Sequence, residues 1–297
     1  MHERKLGYFA IGVEPSDNIS EIAKQKGLRV IHDYFNEETA KKYFRKGDTD
    51  LITASNCLAH IEDIHSVIRG IEYCLSDSGA LIFEVHYGKK IFEEMQFDNV
   101  YHEHMYYYTI SSIKELFGKY GLHITHCEEM SIHSGSIRVV LKKNSVTSPI
   151  TLEFIEQEAR LGLKSDEYYC NFSNDVQNYK IQTLNLLKKL KYDGNNIAGY
   201  GASGRANVLC NFLGIDNTLV DYIIDESPER IGRSINGIDI VSPIGIRPET
   251  NMILIFAWNY SKMIMKKLED KKYLSFLIPL PTIKIVNNIN QLTINSL

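Results

Sequence analysis

The chain has 297 residues, a formal net charge of −4 and a hydrophobic content of 44%. These values are typical of a globular protein with room for two domains. The small net charge gives no electrostatic basis for nucleic-acid binding. No apolar stretch reaches the length of a membrane span or of a signal peptide. We therefore predict no membrane segment and a cytoplasmic location.

The five cysteines form no C-x-x-C pair, and their number is odd. This pattern argues against a disulfide framework and against a structural zinc site. We predict no bound metal.

The first half of the chain alternates predicted strands with predicted helices, with a turn expected at 76–79. This alternation predicts a mostly parallel sheet covered on both faces. Ligands of such sheets bind beyond the carboxyl ends of the strands, where Glu14, Asn56 and His86 are expected. The predicted strands are 8–13, 28–32, 51–54, 80–85, 122–127 and 137–142, and the predicted helices are 18–26, 37–44, 61–75 and 110–120.

The pattern changes at Pro149. Residues 151–190 read as helix without a strand candidate, and a second α/β pattern follows. We predict domains at 1–148 and 149–297, the second consisting of a helical connector and an α/β domain. Its predicted elements are strand 196–200, helix 206–212, strand 220–224 and strand 252–257.

Gly199, Gly201 and Gly204 match the G-x-G-x-x-G fingerprint at the end of a predicted strand, and Arg205 follows directly. Asp225 comes 21 residues after Gly204. Glycines at such a turn let backbone amides approach phosphate at a helix N-terminus. The pattern is compatible with NAD, with another diphosphate, or with a tight turn that binds nothing.

Residues 101–104, Tyr-His-Glu-His, place two imidazoles beside a carboxylate and a phenol. Histidine titrates near neutral pH, and a neighbouring carboxylate can orient it and raise its basicity. The run therefore predicts a proton-handling site. The alternative is a polar loop whose histidines bond to backbone.

Together these segments resemble the C-methyltransferases that use S-adenosylmethionine (SAM) and act on nucleotide-linked deoxysugars. The resemblance extends from about residue 8 to residue 260. Ser134 replaces a glycine of the family pattern. The motifs that carry it are Gly12-Val13-Glu14-Pro15-Ser16, Asn56-Cys57-Leu58-Ala59-His60, Phe83-Glu84-Val85, Tyr101-His102-Glu103-His104, His133-Ser134-Gly135-Ser136-Ile137-Arg138, Gly199-Tyr200-Gly201-Ala202 and Ala257-Trp258-Asn259.

The resemblance implies an α/β fold: an incomplete class I, Rossmann-like SAM methyltransferase domain, a helical segment and a second Rossmann-like domain for the nucleotide sugar. The implied role is in deoxysugar biosynthesis, for a polysaccharide or an antibiotic. In the implied reaction a base removes the proton next to a 4-keto group, and the resulting enolate carbon attacks the SAM methyl group.

Roles for individual residues follow from the same resemblance. His104 is the implied base, Glu103 and Tyr101 orient it or the sugar, and His60 stabilises the enolate. Residues implied to contact SAM are Glu14 at the ribose hydroxyls, Pro15, Asn56, and Tyr34 and Phe35 beside adenine, the alternative for this pair being an aromatic core contact. Residues implied to bind the nucleotide sugar are His133, Ser136, Gly199, Gly201, Gly204, Arg205, Asn207 and Asp225.

The sequence departs from the family pattern at its start. Family members begin with a cysteine-rich zinc domain, followed by a first strand and a glycine-rich SAM loop, whereas this sequence opens just before the second strand. We therefore expect an apolar slot and two unpaired strand edges in the first sheet. Three alternatives remain: an enzyme completed by a separate N-terminal fragment, a non-catalytic remnant that binds a nucleotide sugar, or an NAD-dependent oxidoreductase.

Overall fold

The structure is a computed structural model that describes residues 9–131, 134–287 and 295–296. The helices are α1 Asp17–Gln25, α2 Glu37–Tyr43, α3 Ile64–Cys74, α4 Gly88–Glu93, α5 Ile110–Gly118, α6 Pro149–Leu161, α7 Asp166–Tyr192, α8 Gly204–Leu213 and α9 Ser261–Lys267. The strands are β1 Gly12–Val13, β2 Val30–Ile31, β3 Thr49–Ser55, β4 Leu75–His86, β5 His123–Met130, β6 Ser136–Lys142, β7 Ile197–Tyr200, β8 Tyr222–Ile224, β9 Ser234–Ile235, β10 Ile238–Val241, β11 Met252–Ile255, β12 Ser275–Ile278, β13 Lys284–Asn287 and β14 Asn295–Ser296.

Backbone contacts divide the chain into two units. The first holds the described residues up to His86 together with 105–130 and 136–158. The second holds 87–104, the described part of 131–135 and the described residues from Ala159 onward. The Tyr-His-Glu-His segment therefore belongs to the second unit, although the sequence places it inside the first half. A domain boundary after residue 148 stays a prediction.

The first unit contains two separate sheets. β1 and β2 pair in parallel, and a four-stranded sheet has the order β3-β4-β6-β5. Within it only β3 and β4 are parallel, since β6 runs antiparallel to both of its neighbours. The expected parallel sheet is thus a mixed one here.

The buried face of the four-stranded sheet explains its sequence pattern. Leu81, Phe83 and Val85 alternate along β4 and are at most 1% exposed. The Phe83 ring stacks on Phe117 of α5 with centroids 5.3 Å apart. The turn predicted at 76–79 is wrong, because β4 starts at Leu75 and these residues lie inside the strand.

Strands β1 and β3 of the first unit each have one edge without a partner among the described residues. β1 pairs only with β2, and β3 pairs only with β4. Leu51 of β3 is 54% exposed and Ile11, just before β1, is 38% exposed. The open edges and exposed apolar side chains expected from the sequence are therefore present.

The second unit is built on an eight-stranded sheet with the order β14-β13-β12-β11-β7-β8-β10-β9. Its five central strands, β12 to β10 in that order, are parallel. The chain runs from β7 outward through β8 to β10, then crosses back to β11 beside β7. This is the doubly wound arrangement, and its switch point lies between β7 and β11. Buried apolar residues cover both faces of this sheet.

The described helices include none that is long and apolar enough to cross a membrane. Within the same described ranges, no three His, Cys, Asp or Glu side chains are grouped so as to hold a metal ion.

Candidate active site

His104 is fixed by two contacts within the second unit. Its Nδ1 lies 2.8 Å from the carbonyl oxygen of Asn99, and its Nε2 lies 3.1 Å from the Tyr101 hydroxyl. A carbonyl oxygen only accepts hydrogen bonds, so Nδ1 carries the proton of the neutral ring. The lone pair of Nε2 therefore faces Tyr101, and Nε2 is the basic nitrogen.

Tyr101 is a hydrogen-bond partner of Nε2 of His104. Burial raises the pKa of the Tyr101 phenol, and the negative charge of Glu103 raises it further. The phenol is therefore protonated near neutral pH and donates its hydrogen to Nε2 of His104. His102 and Glu103 themselves are exposed. The pair can take a proton at Nε2, directly or through the tyrosine oxygen.

Asp98 anchors the segment that carries this pair. It lies in a short 3₁₀ helix, Phe97–Asn99, and is 0% exposed. Arg205 donates to its two oxygens from Nε and Nη2 at 2.8 Å each, and Trp258 donates from Nε1 at 2.8 Å. The guanidinium also lies over the Trp258 ring, 4.6 Å from its centroid. Arg205 was predicted to bind phosphate, but its donor fork is taken by Asp98.

The glycine-rich turn after β7 is shaped by β11. A Cβ on Gly199 would lie 2.5 Å from Cε2 of Phe256, and one on Gly201 would lie 2.6 Å from Cβ of Ala257. Gly201 also has φ +94°, which side chains rarely adopt. Close packing therefore requires the first two glycines. A Cβ on Gly204 would meet nothing within 4 Å among the described atoms, so the space at the start of α8 is open.

Asp225 holds this turn from the next strand. Its Oδ2 accepts from the Ala202 amide at 2.6 Å, and its Oδ1 accepts from the Ser227 amide at 2.8 Å. Arg230 pairs with the same carboxylate at 3.2 Å. Both oxygens are thus engaged in local structure. Because of that, Asp225 is less suited to read a ribose than its position in the fingerprint suggests.

The strand ends of the first unit hold the residues predicted for SAM. Glu14 follows β1, and its Oε1 accepts from the Ser16 amide at 2.8 Å. Asn56 follows β3 with φ +50°, and its buried Oδ1 has no hydrogen-bond partner among the described atoms. Tyr34 is 72% exposed, while Phe35 packs edge-on against Phe44 with centroids 6.5 Å apart.

The remaining predicted residues are placed as follows. Pro15 is exposed, and its carbonyl oxygen lies 3.0 Å from Nε2 of His32. His60 is exposed at the end of a 3₁₀ helix, and Ser136 is fully buried at the start of β6. Asn207 is exposed on α8, and both its side-chain and backbone oxygens accept from Asn211. His133 lies outside the described residues.

Comparison with known families identifies the class of protein. The family described as a C-methyltransferase C-terminal domain matches residues 131–281, and a methyltransferase domain matches residues 1–127. The chain belongs to the C-methyltransferase family, and it is a SAM-dependent methyltransferase. The C-methyltransferase NovU of Streptomyces niveus is 28% identical over 297 residues, covering 96% of this chain and 70% of that protein.

Two of the solved structures that this chain resembles are methyltransferases. One from Mesorhizobium loti has 14% identity and a TM-score of 0.37, covering 46% of this chain and 80% of that one. The 1,6-didemethyltoxoflavin-N1-methyltransferase of Burkholderia thailandensis, solved with S-adenosylhomocysteine, has 11% identity and a TM-score of 0.37, covering 48% and 65%.

Three features of the first unit fit SAM. Glu14 offers a carboxylate of the kind that accepts hydrogen bonds from ribose hydroxyls. Asn56 offers a buried acceptor that has no donor among the described residues. The exposed ring of Tyr34 offers a face on which adenine can stack. These three residues would hold the cofactor, which supplies an electrophilic methyl group.

The glycine turn generates a first prediction. Gly201→Ala should lower the free energy of unfolding by about 1–3 kcal/mol, because it strains φ and collides with Ala257. Gly204→Ala is the matched control and should keep stability or raise it by up to about 1 kcal/mol, since its Cβ enters open space. Denaturant unfolding of both variants measures the difference. Equal stabilities would contradict the packing explanation of Gly201.

Proposed function

We propose that the methyl acceptor is a nucleotide-linked 4-keto-deoxysugar, methylated at the carbon next to its ketone. The observation that carries this proposal is the fixed Nε2 lone pair of His104. His104 belongs to the second unit. In the doubly wound sheet of that unit, the N-terminus of α8 lies open at the switch point. A carbon acid beside a ketone needs such a base, and a diphosphate suits such a helix start.

In the proposed reaction His104 takes the proton from the sugar carbon at Nε2. The imidazolium that forms is stabilised by its Nδ1–H bond to the Asn99 carbonyl. Tyr101 either orients the sugar or passes the proton, giving its own hydrogen to Nε2 as it receives one from carbon. The enolate oxygen needs a hydrogen-bond donor, and His60 stays the predicted residue for that role.

The proposed diphosphate site is the first turn of α8. Ser203 is its N-cap residue, but the Ser203 side chain makes no capping hydrogen bond. The space beside Gly204 is open among the described atoms, and the helix dipole favours an anion at this N-terminus. Arg205 is not part of this site, because its guanidinium is paired with Asp98.

We also propose that a further strand completes the first unit by pairing with β1 and with β3. Support comes from the two open edges and from the exposed side chains of Ile11 and Leu51 beside them. Such a strand would form main-chain hydrogen bonds on both sides and cover apolar surface. The occupant is a methyltransferase segment with a glycine-rich loop, carried by this polypeptide or by a second one.

A non-catalytic nucleotide-sugar-binding protein is the second candidate. The same open edges favour it, because the described residues at the strand ends supply a ribose acceptor without a glycine-rich loop. An NAD-dependent oxidoreductase is disfavoured by Asp225, whose two oxygens bind backbone amides and Arg230.

The base is tested by His104→Ala in an enzyme preparation that turns over. Turnover should fall by roughly 10²–10⁴-fold, the usual contribution of a general base, and solvent deuterium exchange at the sugar carbon should stop. The affinity for SAM should stay unchanged. His102→Ala, two positions earlier and exposed, is the matched control. Wild-type exchange in the His104 variant would remove this residue from the role.

The diphosphate site is tested by comparing Ser203→Asp with Ser203→Asn. Both side chains cap a helix equally well, but only aspartate places a negative charge where the phosphate would bind. The dissociation constant for a nucleoside diphosphate sugar should rise about 10-fold or more with aspartate, and much less with asparagine. Calorimetric titration measures both. The same affinity in the two variants would place the diphosphate elsewhere.

Completion of the first unit is tested by titrating SAM with and without an added segment. The chain of 297 residues should bind SAM weakly by itself. Co-expression with a family segment that carries the strand and the glycine-rich loop should raise SAM affinity, turnover and thermal stability together. Micromolar SAM affinity of the chain without that segment would sink this proposal. Binding of nucleotide sugar without any methyl transfer in the completed form would favour the non-catalytic alternative.

A further inference from the structure

Asp98 stands out in the second unit as a fully buried carboxylate that the proposed reaction does not use. Its three hydrogen bonds come from two residues that follow different strands of the sheet. Arg205 lies just after β7, in the first turn of α8, and Trp258 lies just after β11. Those two strands flank the switch point of the doubly wound sheet. The carboxylate therefore joins the two walls of the crevice in which such sheets bind ligands.

Asp98 directly precedes the residue whose carbonyl oxygen contacts His104. Asp98 and Asn99 are consecutive in the same 3₁₀ turn, and the Asn99 carbonyl accepts the Nδ1 hydrogen of His104. A movement of Asp98 therefore moves the oxygen that sets the tautomer of the imidazole. The segment is also held from its other side, since Nδ2 of Asn99 donates to Oε1 of Gln96 at 2.9 Å.

The Gln96 side chain extends this support. Its Nε2 donates to the Ser134 carbonyl at 2.6 Å, and Gln96 is 1% exposed. Phe97 packs against Tyr179 and Phe212 with ring centroids 5.4 and 5.1 Å apart. The 3₁₀ turn is thus held by ring packing at Phe97 and by the hydrogen bonds of the Gln96 amide. Asp98 provides its only charged connection to the residues that follow β7 and β11, as far as the described contacts show.

We propose that Asp98 is a positioning residue, which holds the His104–Tyr101 pair at a fixed distance from the first turn of α8. This inference rests on the proposed function, in which His104 is the base and the α8 turn binds the diphosphate. Arg205 belongs to α8 itself. The ion pair therefore sets the distance between the proposed diphosphate site at α8 and His104, which removes the proton from the sugar carbon. A fixed distance between these two groups favours a substrate whose acidic carbon lies at one particular position of the sugar ring.

The test is Asp98→Asn, studied together with Asp98→Asn/Arg205→Gln. The single variant keeps the shape but removes the negative charge opposite the partly buried Arg205 guanidinium, and the double variant removes both charges. In both, turnover should fall about 10- to 100-fold, the size of loss that a misplacement near 1 Å produces, while KM for the nucleotide sugar changes by less than about 3-fold. Asp239→Asn, an exposed carboxylate on β10, is the matched control.

The second readout is the ¹⁵N spectrum of the His104 ring in the full chain without substrate. The wild-type ring should show the Nδ1–H tautomer, and both variants should show a mixture of the two tautomers. Trp258→Phe, which keeps the stacked ring but removes its donor, should have an intermediate effect.

The outcomes separate this inference from the proposed function. If both Asp98 variants fold with a wild-type tautomer and wild-type turnover, the positioning role is overturned. A loss of thermal stability with an unchanged tautomer also overturns it, because the carboxylate is then structural only. If the wild-type chain, completed with the added methyltransferase segment, does not transfer a methyl group, the proposed function fails, but the tautomer measurement still decides whether Asp98 orients His104.

Discussion

The candidate site depends on one buried ion pair, Asp98 with Arg205. A fully buried carboxylate is costly unless donors satisfy it, and here the guanidinium fork and the Trp258 indole supply three hydrogen bonds at 2.8 Å. Removing one member of such a pair typically costs roughly 3–5 kcal/mol, since the other charge stays buried. A chain that keeps this arrangement gains a defined position for the 97–104 segment. The orientation of His104, and hence the identity of its basic nitrogen, follows from that position.

In the first unit, by contrast, strand edges have no partner among the described residues. β1 and β2 form a sheet of two strands that are two residues each, which is marginal without further pairing. β3 exposes Leu51, and its outer edge has no partner among the described residues. Residues suited to SAM nevertheless stand at the carboxyl ends of β1 and β3. These strand ends thus carry side chains of the kind that a SAM site uses, on strands that each have one edge without a partner among the described residues.

Sequence patterns predicted the alternating α/β elements because apolar periodicity and buried alternation are local signals. They also predicted that Glu14 and Asn56 would follow strands. They failed where tertiary pairing decides the outcome. The Ser-Asp-Ser-Gly run at 76–79 has turn composition, yet it lies inside β4, at the register shift between the Leu75 and Ala80 pairs with β3. Sequence patterns also missed β9, β10 and β12 to β14, although β8, with only three residues, was predicted. The partnership of Asp98 with Arg205 spans 107 positions in the chain, and no local pattern reports it.

The glycine fingerprint shows why a motif has to be interpreted from its contacts. In the usual interpretation the three glycines make room for a dinucleotide, the acid at the end of the next strand reads the ribose, and a basic residue nearby meets phosphate. Here Phe256 and Ala257 occupy the space beside Gly199 and Gly201. Asp225 binds the turn and Arg205 binds Asp98. Only the open first turn of α8 retains the anion-binding character of the motif, since Asp225 holds the turn itself and Arg205 pairs with Asp98 in the segment that precedes His104.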